Sequence, residues 1–431
     1  MNPPKAVRKY LDAWAEPEVA IAAAVRESYA HVLVVPARHE TGAFVRDLAA
    51  APGLFGDRGL VIVVVNGTDD DALEHRDMNE LLWREIARDS RPLCAAPRAV
   101  VRAFGAFDLL AIDRFRSPWC FGARDGVGTA RKIGCDVALA LVAAGKVASS
   151  WIHTSDADAV QPVDRMRVAE SVSDDGVVAL TFPYEHVVED PSLGDAMLAY
   201  EISLAYWVLG LEWARSPYAF SSVGSTIAVR ADAYARVRGF PRVAAGEDFH
   251  FLDKLAKIGA VRMPEGGRIR LAGRVSHRVP FGTGAALRRM NRGEELELYD
   301  PIVFAHLREW LAAMSSWAGG SPVDASGLGD AAREAARGLG AFDALEGVRS
   351  RIGGASAHRA FHEWFDALKT LRFVHAVRDR GAPSVPLREA LRHAPFVDAP
   401  EGAPLRELRD RLAGRRVLDA GVRLTAASSI R

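Results

Sequence analysis

Two aspartates one residue apart, Asp156 and Asp158, have the spacing that most directly suggests chemistry in this chain. They follow residues 150–154, a run that predicts a short strand ending in these acids. A strand inside a sheet holds the side chains at its carboxyl end in a fixed place, and ligands of open α/β sheets bind at that edge. Two carboxylates there could share one divalent cation and, through it, a diphosphate. The simpler alternative is an aspartate-rich loop that caps the helix predicted to begin near Pro162.

The elements that must position these acids alternate along the chain. Apolar runs at 31–36 and 60–65 predict strands buried on both faces. Further strands are predicted at 98–104, 150–154 and 177–182, with helices between them, and a loop is expected to lead from 98–104 to a helix opened by glycines. This alternation favours an α/β fold with a mostly parallel central sheet flanked by helices.

The composition limits the kinds of protein that fit. The chain has 431 residues, more than one typical domain, and 49% of them are apolar. Its 55 basic and 55 acidic residues cancel, so no overall field favours nucleic acid or a membrane surface as partner. Three cysteines without a CxxC pair argue against a disulfide framework or a zinc site, and fit a reducing, cytoplasmic setting.

The apolar segments do not suggest a membrane protein. Charges occur throughout the first 30 residues, so no signal peptide is expected. The run at 196–213 is interrupted by Glu201 and Glu212 and falls short of the roughly 20 apolar residues that a span needs. We expect a buried or groove-lining helix there, and no membrane span.

We expect three segments: a helical lead-in at 1–29, an α/β domain at 30–300 and an α-helical region at 301–431. The last segment is rich in alanine, leucine and arginine with helical spacing. Its role is not evident from its residues.

Polar residues also follow the first two predicted strands. Pro36, Ala37, Arg38 and Glu40 end the first, and Asn66 ends the second. Because carboxyl ends of parallel strands meet at one edge, these side chains could contribute to a ligand site. Helix capping is the alternative for Glu40 and Asn66.

Glycines open the helix at 128–134, and its backbone N–H groups could point at an anion, with Lys132 adding positive charge. A solvated helix lysine is the alternative. A dinucleotide-binding fold is disfavoured, because the glycines follow the third predicted strand and the full GxGxxG pattern is absent. Further along, Glu247 and Asp248 begin another predicted helix, where an acid pair is also common for reasons of the helix dipole.

Taken together, these motifs resemble a glycosyltransferase of family 2. The carboxyl half strengthens the resemblance with GSTIAVR at 224–230, RGF at 238–240 and GEDF at 246–249. The resemblance covers residues 31 to about 285. It implies a GT-A fold for that stretch, to which the α-helical region at 301–431 is a carboxyl-terminal extension. It also implies transfer of a sugar, as in hexosyltransferases, from a nucleotide-diphosphate donor such as a UDP- or GDP-sugar to a hydroxyl of a carbohydrate or other acceptor, with inversion of configuration.

The same resemblance implies roles for individual residues on the donor side. The nucleoside would be held by Pro36, Ala37, Arg38, Glu40 and Asn66, although family members usually have Asp-Asp or Asp-Asn where this chain has Val65-Asn66. Lys132 would face the diphosphate.

At the acids, the resemblance places Asp156 near the ribose or the water shell of the metal and makes Asp158 a ligand of Mn²⁺ or Mg²⁺. His277 falls where many GT-A enzymes have a third metal ligand, and a surface histidine is the alternative. On the acceptor side, Asp248 would be the general base and Glu247 would orient the acceptor.

Two other functions stay open. A sugar nucleotidyltransferase shares the layout but would have a glycine-rich basic signature after the first strand, which 36–40 lacks. A non-catalytic nucleotide-sugar-binding scaffold, with the helical region as its partner surface, is the other. The absence of a Gln-x-x-Arg-Trp motif argues against a processive, membrane-embedded synthase.

Overall fold

The computed structural model describes residues 3–51, 53–122, 125–273, 288, 290, 294–318, 327–349 and 355–414. The chain forms two compact units. The first, here called the sheet unit, comprises Met1–Val187 and Ser222–Ala272, and the second, the helical unit, comprises Val188–Ser221 and Gly273–Arg431. This division differs from the predicted boundaries near residues 30 and 300.

Most strands belong to the sheet unit. They are β1 (His31–Ala37), β2 (Gly59–Asn66), β3 (Arg91–Ala96), β4 (Ala99–Ala103), β5 (Phe107–Arg114), β6 (Trp151–Thr154), β7 (Ala159–Val160), β8 (Val177–Thr181), β9 (Tyr184–Val187), β10 (Ile227–Arg230), β11 (Ala260–Arg262) and β12 (Ile269–Ala272). The helical unit adds β13 (Glu297–Leu298) and β14 (Val385–Pro386).

The main sheet of the described residues has nine strands in the order β11-β8-β10-β6-β1-β2-β5-β4-β3. Only β4 and β10 oppose the common direction. The central strands β1 and β2 are buried along nearly their whole length, as expected of strands covered by helices on both faces. The predicted α/β class with a large, mostly parallel sheet flanked by helices is therefore confirmed.

One predicted strand was assigned to the wrong place in the sheet. The 98–104 segment forms β4, which runs antiparallel to β5. The strand that pairs in parallel with β2 on the side away from β1 is β5, in a segment where a loop was expected. Two acids inside β5, Asp108 and Asp113, obscured its apolar pattern. Both are buried and bonded: Asp108 accepts from Arg58 and Tyr29, and Asp113 accepts from the backbone after the strand.

A smaller sheet, β7-β12-β9, is built from the chain that follows Asp158. The strand β12 pairs antiparallel with β7 and parallel with β9. The backbone N–H of Ala272 donates to the Asp158 carbonyl at 3.3 Å, so this sheet holds the backbone at the second aspartate.

The helices of the sheet unit are α1 (Lys5–Ala13), α2 (Ala43–Ala49), α3 (Leu73–Arg88), α4 (Val127–Ala143), α5 (Arg165–Glu170), α7 (Ala231–Arg236) and α8 (Glu247–Ala256), with 3₁₀ turns at Pro17–Ala24 and Gly224–Thr226. The predicted lead-in is part of this unit. Tyr10 of α1 donates its hydroxyl to Asp136 of α4 at 2.6 Å, and both side chains are buried.

The helical unit is formed by α6 (Gly194–Trp213), α9 (Ile302–Ala318), α10 (Asp330–Gly338), α11 (Ala341–Arg349), α12 (Ala355–Trp364), α13 (Ala367–Arg378), α14 (Leu387–His393) and α15 (Leu405–Gly414), with a 3₁₀ turn at Pro191–Leu193. Its core is centred on Trp310, whose ring lies within about 6 Å of those of Phe361, Phe365 and Phe373. Helix α6 buries Ile202 and Tyr206 in the same core, which explains why 188–221 belongs with the carboxyl-terminal helices.

Candidate functional site

The carboxyl ends of three adjacent strands meet at one edge of the sheet unit. Strand β1 pairs in parallel with β2 on one side and with β6 on the other. The chain therefore leaves β1 for β2 and later returns to the opposite side of β1 with β6. Such a reversal of strand order opens a crevice outside the carboxyl ends, which is where ligands of open α/β sheets bind. Asp156 and Asp158 follow β6 at this position.

A buried arginine, Arg131 of α4, bonds to two acids that are far apart in the sequence, Asp156 after β6 and Glu247 at the start of α8. Its side chain is 2% exposed. Its Nη2 donates to Asp156 Oδ1 at 2.8 Å and its Nε donates to Glu247 Oε1 at 3.1 Å. Its Nη1 donates to the carbonyl oxygens of Ser155 at 3.2 Å and Gly224 at 3.1 Å. The guanidinium thus holds together the end of β6, the start of α8 and the turn before β10.

The turn before β10 needs a glycine because Arg131 lies against it. A Cβ added at Gly224 would lie 2.6 Å from Arg131 Nη2 and 2.9 Å from Cζ. These distances are shorter than carbon atoms tolerate in a packed interior. The glycine of the GST stretch at 224–226 therefore leaves the space that the guanidinium occupies.

One guanidinium lies between two carboxyl groups in this cluster. Burial alone lowers the pKa of Arg131, but the carboxylates of Asp156 and Glu247 more than offset this and hold the pKa above its ordinary value. A cation is thus fixed between two carboxylates, one buried at Glu247 and one 37% exposed at Asp156. The exposed carboxylate is the one available to a ligand.

Asp248, which follows Glu247, has a perturbed pKa. Burial, followed by the neighbouring Glu247 carboxylate, raises the pKa of Asp248 to about 7. The backbone N–H of Phe249 donates to Asp248 Oδ1 at 2.7 Å and opposes the shift. A carboxylate with a pKa near neutrality can accept a proton at physiological pH.

The residues after β6 suit a hard divalent cation. Asp156 and Asp158 supply carboxylate oxygens, the donors that Mg²⁺ and Mn²⁺ prefer. Arg131 bonds to Oδ1 of Asp156, so Oδ2 is the atom through which Asp156 would reach such an ion. Asp158 is half-buried at the same edge. His277, the third predicted ligand, lies outside the described residues.

The residues predicted to hold a nucleoside divide into two groups. Pro36 and Ala37 are buried in the last positions of β1, and Asn66 is 2% exposed at the end of β2. The Asn66 amide donates to the carbonyl oxygens of Ala37 and Val64, both at 3.1 Å, so its side chain ties two strand ends together. This is a structural contact that neither the capping nor the nucleoside interpretation anticipated.

Arg38 and Glu40 lie beyond the end of β1 and are half-buried. The Arg38 Nη2 donates to Asp71 Oδ1 at 2.5 Å and to Thr68 Oγ1 at 3.1 Å. Arg38 therefore connects the segment after β1 to the segment after β2. Its guanidinium places a positive charge beside the ends of β1 and β2.

Lys132 does not occupy the position that was predicted for it. Its Nζ lies within hydrogen-bonding distance of Tyr10 Oη at 2.5 Å, Asp136 Oδ2 at 2.8 Å and Trp14 O at 3.0 Å. These three contacts match the three donors of an ammonium group. The interpretation of Lys132 as a diphosphate contact is corrected, because its charge compensates a buried aspartate.

The glycines at the start of α4 likewise serve packing. A Cβ added at Gly128 would lie 2.6 Å from the carbonyl oxygens of both Pro241 and Val243. The first turn of the helix is thus covered by backbone, and Gly128 permits this close approach. The motif was correctly placed at a helix start, but its glycines contact protein.

Sequence reasoning missed Arg131, the residue on which the cluster depends. It precedes Lys132 in an ordinary helical pattern, and an arginine in a helix is most often solvated. The one available signal was its position on the second turn of a helix that begins with two glycines.

In the described parts of the chain, no helix is both long enough and apolar enough to span a membrane. A scan against protein-family models finds no family that matches this chain, and a search of curated proteins finds no match.

Proposed function

We propose that the sheet unit is a metal-dependent glycosyltransferase with a GT-A fold, similar to family 2, that moves a sugar from a nucleotide-diphosphate donor to an acceptor hydroxyl. The observation that carries this proposal is the double contact of Arg131 with Asp156 and Glu247. It brings the acids after β6, assigned to the donor, beside the acids that begin α8, assigned to the acceptor. Sugar transfer requires these two sites to be adjacent, because the acceptor oxygen attacks the anomeric carbon as the diphosphate leaves.

On the donor side, Asp158 and the outward oxygen of Asp156 would hold Mn²⁺ or Mg²⁺. When bound, the ion stabilises the negative charge that develops on the leaving diphosphate. Arg131 has the complementary task of orienting Asp156, since it fixes Oδ1 and directs the other oxygen to the crevice. The nucleoside of a UDP- or GDP-sugar would lie along the ends of β1 and β2, beside Arg38 and Glu40.

On the acceptor side, Asp248 is the proposed general base. It would accept the proton of the attacking hydroxyl, and a single displacement of this kind inverts the anomeric configuration. Its pKa of about 7 supports the role, because a base works best when its pKa lies near the working pH. Glu247 is bonded to Arg131, so it acts by positioning the start of α8.

The proposal is tested by donor binding with and without Mn²⁺. We expect UDP- or GDP-sugars to raise the thermal stability of the wild type only when the ion is present. At a donor concentration 100 times the Kd, the stabilisation is about 2.7 kcal/mol. Asp158→Ala should abolish the dependence on the metal, whereas Asp175→Ala, which removes an exposed carboxylate of the same unit, should preserve it.

Product analysis separates the proposal from its alternatives. A glycosyltransferase releases a nucleoside diphosphate, whereas a sugar nucleotidyltransferase releases pyrophosphate. Binding of a nucleotide sugar without turnover on any acceptor, even on water, would favour a scaffold. Absence of metal-dependent nucleotide binding by the wild type would contradict the central claim.

A further inference from the structure

A second group of metal-ligating side chains lies at the same edge of the sheet unit. It consists of His39 after β1, Asp71 after β2 and His75 in the first turn of α3, and one ligand atom from each lies within 4.8 Å of the others. We propose that this group binds a borderline divalent transition metal ion such as Zn²⁺, at a site distinct from the carboxylates Asp156 and Asp158. The inference is independent of the proposed glycosyl transfer.

The backbone holds His39 in an unusual conformation. Its φ is 57°, in the left-handed region that few residues other than glycine adopt. The conformation is maintained by Asn79, whose Oδ1 accepts the His39 backbone N–H at 2.9 Å. With the backbone turned in this way, His39 Nε2 lies 3.1 Å from Asp71 Oδ2. Strain of this kind persists where the surroundings enforce it, and it is frequent at ligand sites.

Asp71 is oriented by several donors, as ligating carboxylates are. Its Oδ1 accepts from Arg38 Nη2 at 2.5 Å and from Thr68 Oγ1 at 2.9 Å. The Thr68 backbone N–H donates to Oδ2 at 3.0 Å. These bonds fix the carboxylate with Oδ2 facing His39.

His75 completes the group from the exposed surface of α3. Its ring is stacked on that of His39, with centroids 4.0 Å apart and planes 13° apart. Donor atoms on one tetrahedral Zn²⁺, at bonds of about 2.0–2.1 Å, lie about 3.4 Å from one another. Two stacked, nearly parallel rings cannot both point a nitrogen at one ion, so ligation requires the His75 ring to tilt out of the stack. Because His75 is exposed, this movement disturbs no core packing.

The ligand set favours a borderline metal over Mg²⁺. Two imidazoles and one carboxylate are a common zinc set, and three protein ligands leave one position for water or a substrate oxygen. The low cysteine content of the chain does not bear on a site of this composition.

The positive charge of Arg38 disfavours a bound cation, since its guanidinium contacts both Asp71 and His39. It bonds to Oδ1 of Asp71, and the oxygen assigned to the metal is Oδ2. The competing explanation is that the hydrogen bond and the ring stack only hold the two loops together, without a metal. Metal titration separates these explanations.

The test is a Co²⁺ or Zn²⁺ titration of the full chain, free of any histidine tag and stripped with a chelator. We expect one equivalent of Co²⁺ to bind with the visible absorption of a four-coordinate site; an ion at the carboxylates Asp156 and Asp158 would be six-coordinate and absorb only weakly. Loss of a supporting contact alone weakens metal sites by about 10- to 100-fold, so His75→Ala should weaken binding at least as much. As a matched control, His393→Ala removes an exposed histidine from α14 and should leave binding unchanged.

Equal Co²⁺ binding by the wild type and His75→Ala, or none by the wild type, would overturn the inference. His75 is exposed, so its replacement leaves the fold intact, which circular dichroism checks. Asp158→Ala should retain the Co²⁺ site, and His75→Ala should retain Mn²⁺-dependent nucleotide binding. Failure of this inference is thereby distinguished from failure of the proposed function.

Discussion

Arg131 and Glu247 form a buried ion pair between α4 and α8, with Arg131 Nε 3.1 Å from Glu247 Oε1 across 116 residues of sequence. The same guanidinium bonds to Asp156, so the beginning of α8 is fixed relative to the end of β6. Asp248 follows Glu247 directly. Its position relative to the strand-end acids is therefore set by this one arginine.

Asp248→Asn should lower turnover by about 10² or more, the scale of general-base catalysis, while donor binding is retained. The asparagine keeps the shape of the side chain but cannot accept the proton. In the wild type, turnover should rise with pH up to about 7 and then level off, because the base acts only when deprotonated. Steady-state rates from pH 5 to 9 measure this rise in turnover, which Asp248→Asn should not show. Unchanged turnover in the variant would remove Asp248 from its role.

Arg131→Met should destabilise the sheet unit by about 3 kcal/mol, at the lower end of the range for breaking a buried pair, because Asp156 is partly solvated. Glu247 would keep a buried charge without its partner. Chemical denaturation measures the loss. Arg131→Lys keeps the positive charge but lacks the planar guanidinium with its several donors, and it should lose less stability. Arg167→Met, at an arginine 77% exposed, is the control and should change stability by less than about 0.5 kcal/mol.

Gly224→Ala tests the space that the guanidinium occupies. The new methyl would lie 2.6 Å from Arg131 Nη2, and Gly224 O also accepts from Thr154 Oγ1 at 2.7 Å. We expect overpacking to cost about 1–3 kcal/mol and turnover to fall as Arg131 moves. Gly122→Ala, where no atom of the described residues lies within 4 Å of the added Cβ, is the matched control. A neutral Gly224→Ala would mean that Arg131 can shift without consequence.

Lys132→Met should reduce stability and leave donor affinity unchanged. The ammonium bonds to Asp136, which is 0% exposed, and to Tyr10. Removing one partner of a buried pair costs about 3 kcal/mol. The measurements are denaturation midpoints and donor Kd by calorimetry well below the melting temperature. A lower donor affinity with normal stability would instead indicate that Lys132 contacts the diphosphate.

The sheet was predictable where its strands are uniformly apolar. Strands β1, β2, β6 and β8 begin and end within a residue or two of the predicted bounds, because a strand covered on both faces leaves a continuous apolar run. Strand β5 was not found, since Asp108 and Asp113 interrupt its run. Asp108 is compensated by Tyr29 and Arg58, which are distant in sequence, whereas Asp113 bonds to Arg116 just after the strand. Such compensation becomes visible only once the chain is folded.

The sequence by itself determined the strands β1, β2 and β6 and the edge at which Asp156, Asp158 and Asn66 gather, because the side chains at the ends of parallel strands follow from the apolar runs alone. The tertiary structure alone decided the division of labour between Arg131 and Lys132. Consecutive residues of a helix point about 100° apart, so one of the two cations meets the acids at the sheet edge and the other meets Asp136. The spacing of Lys132 and Asp136, four residues apart on α4, is visible in the sequence, but that Arg131 meets the acids at the sheet edge depends on how α4 lies against its neighbours.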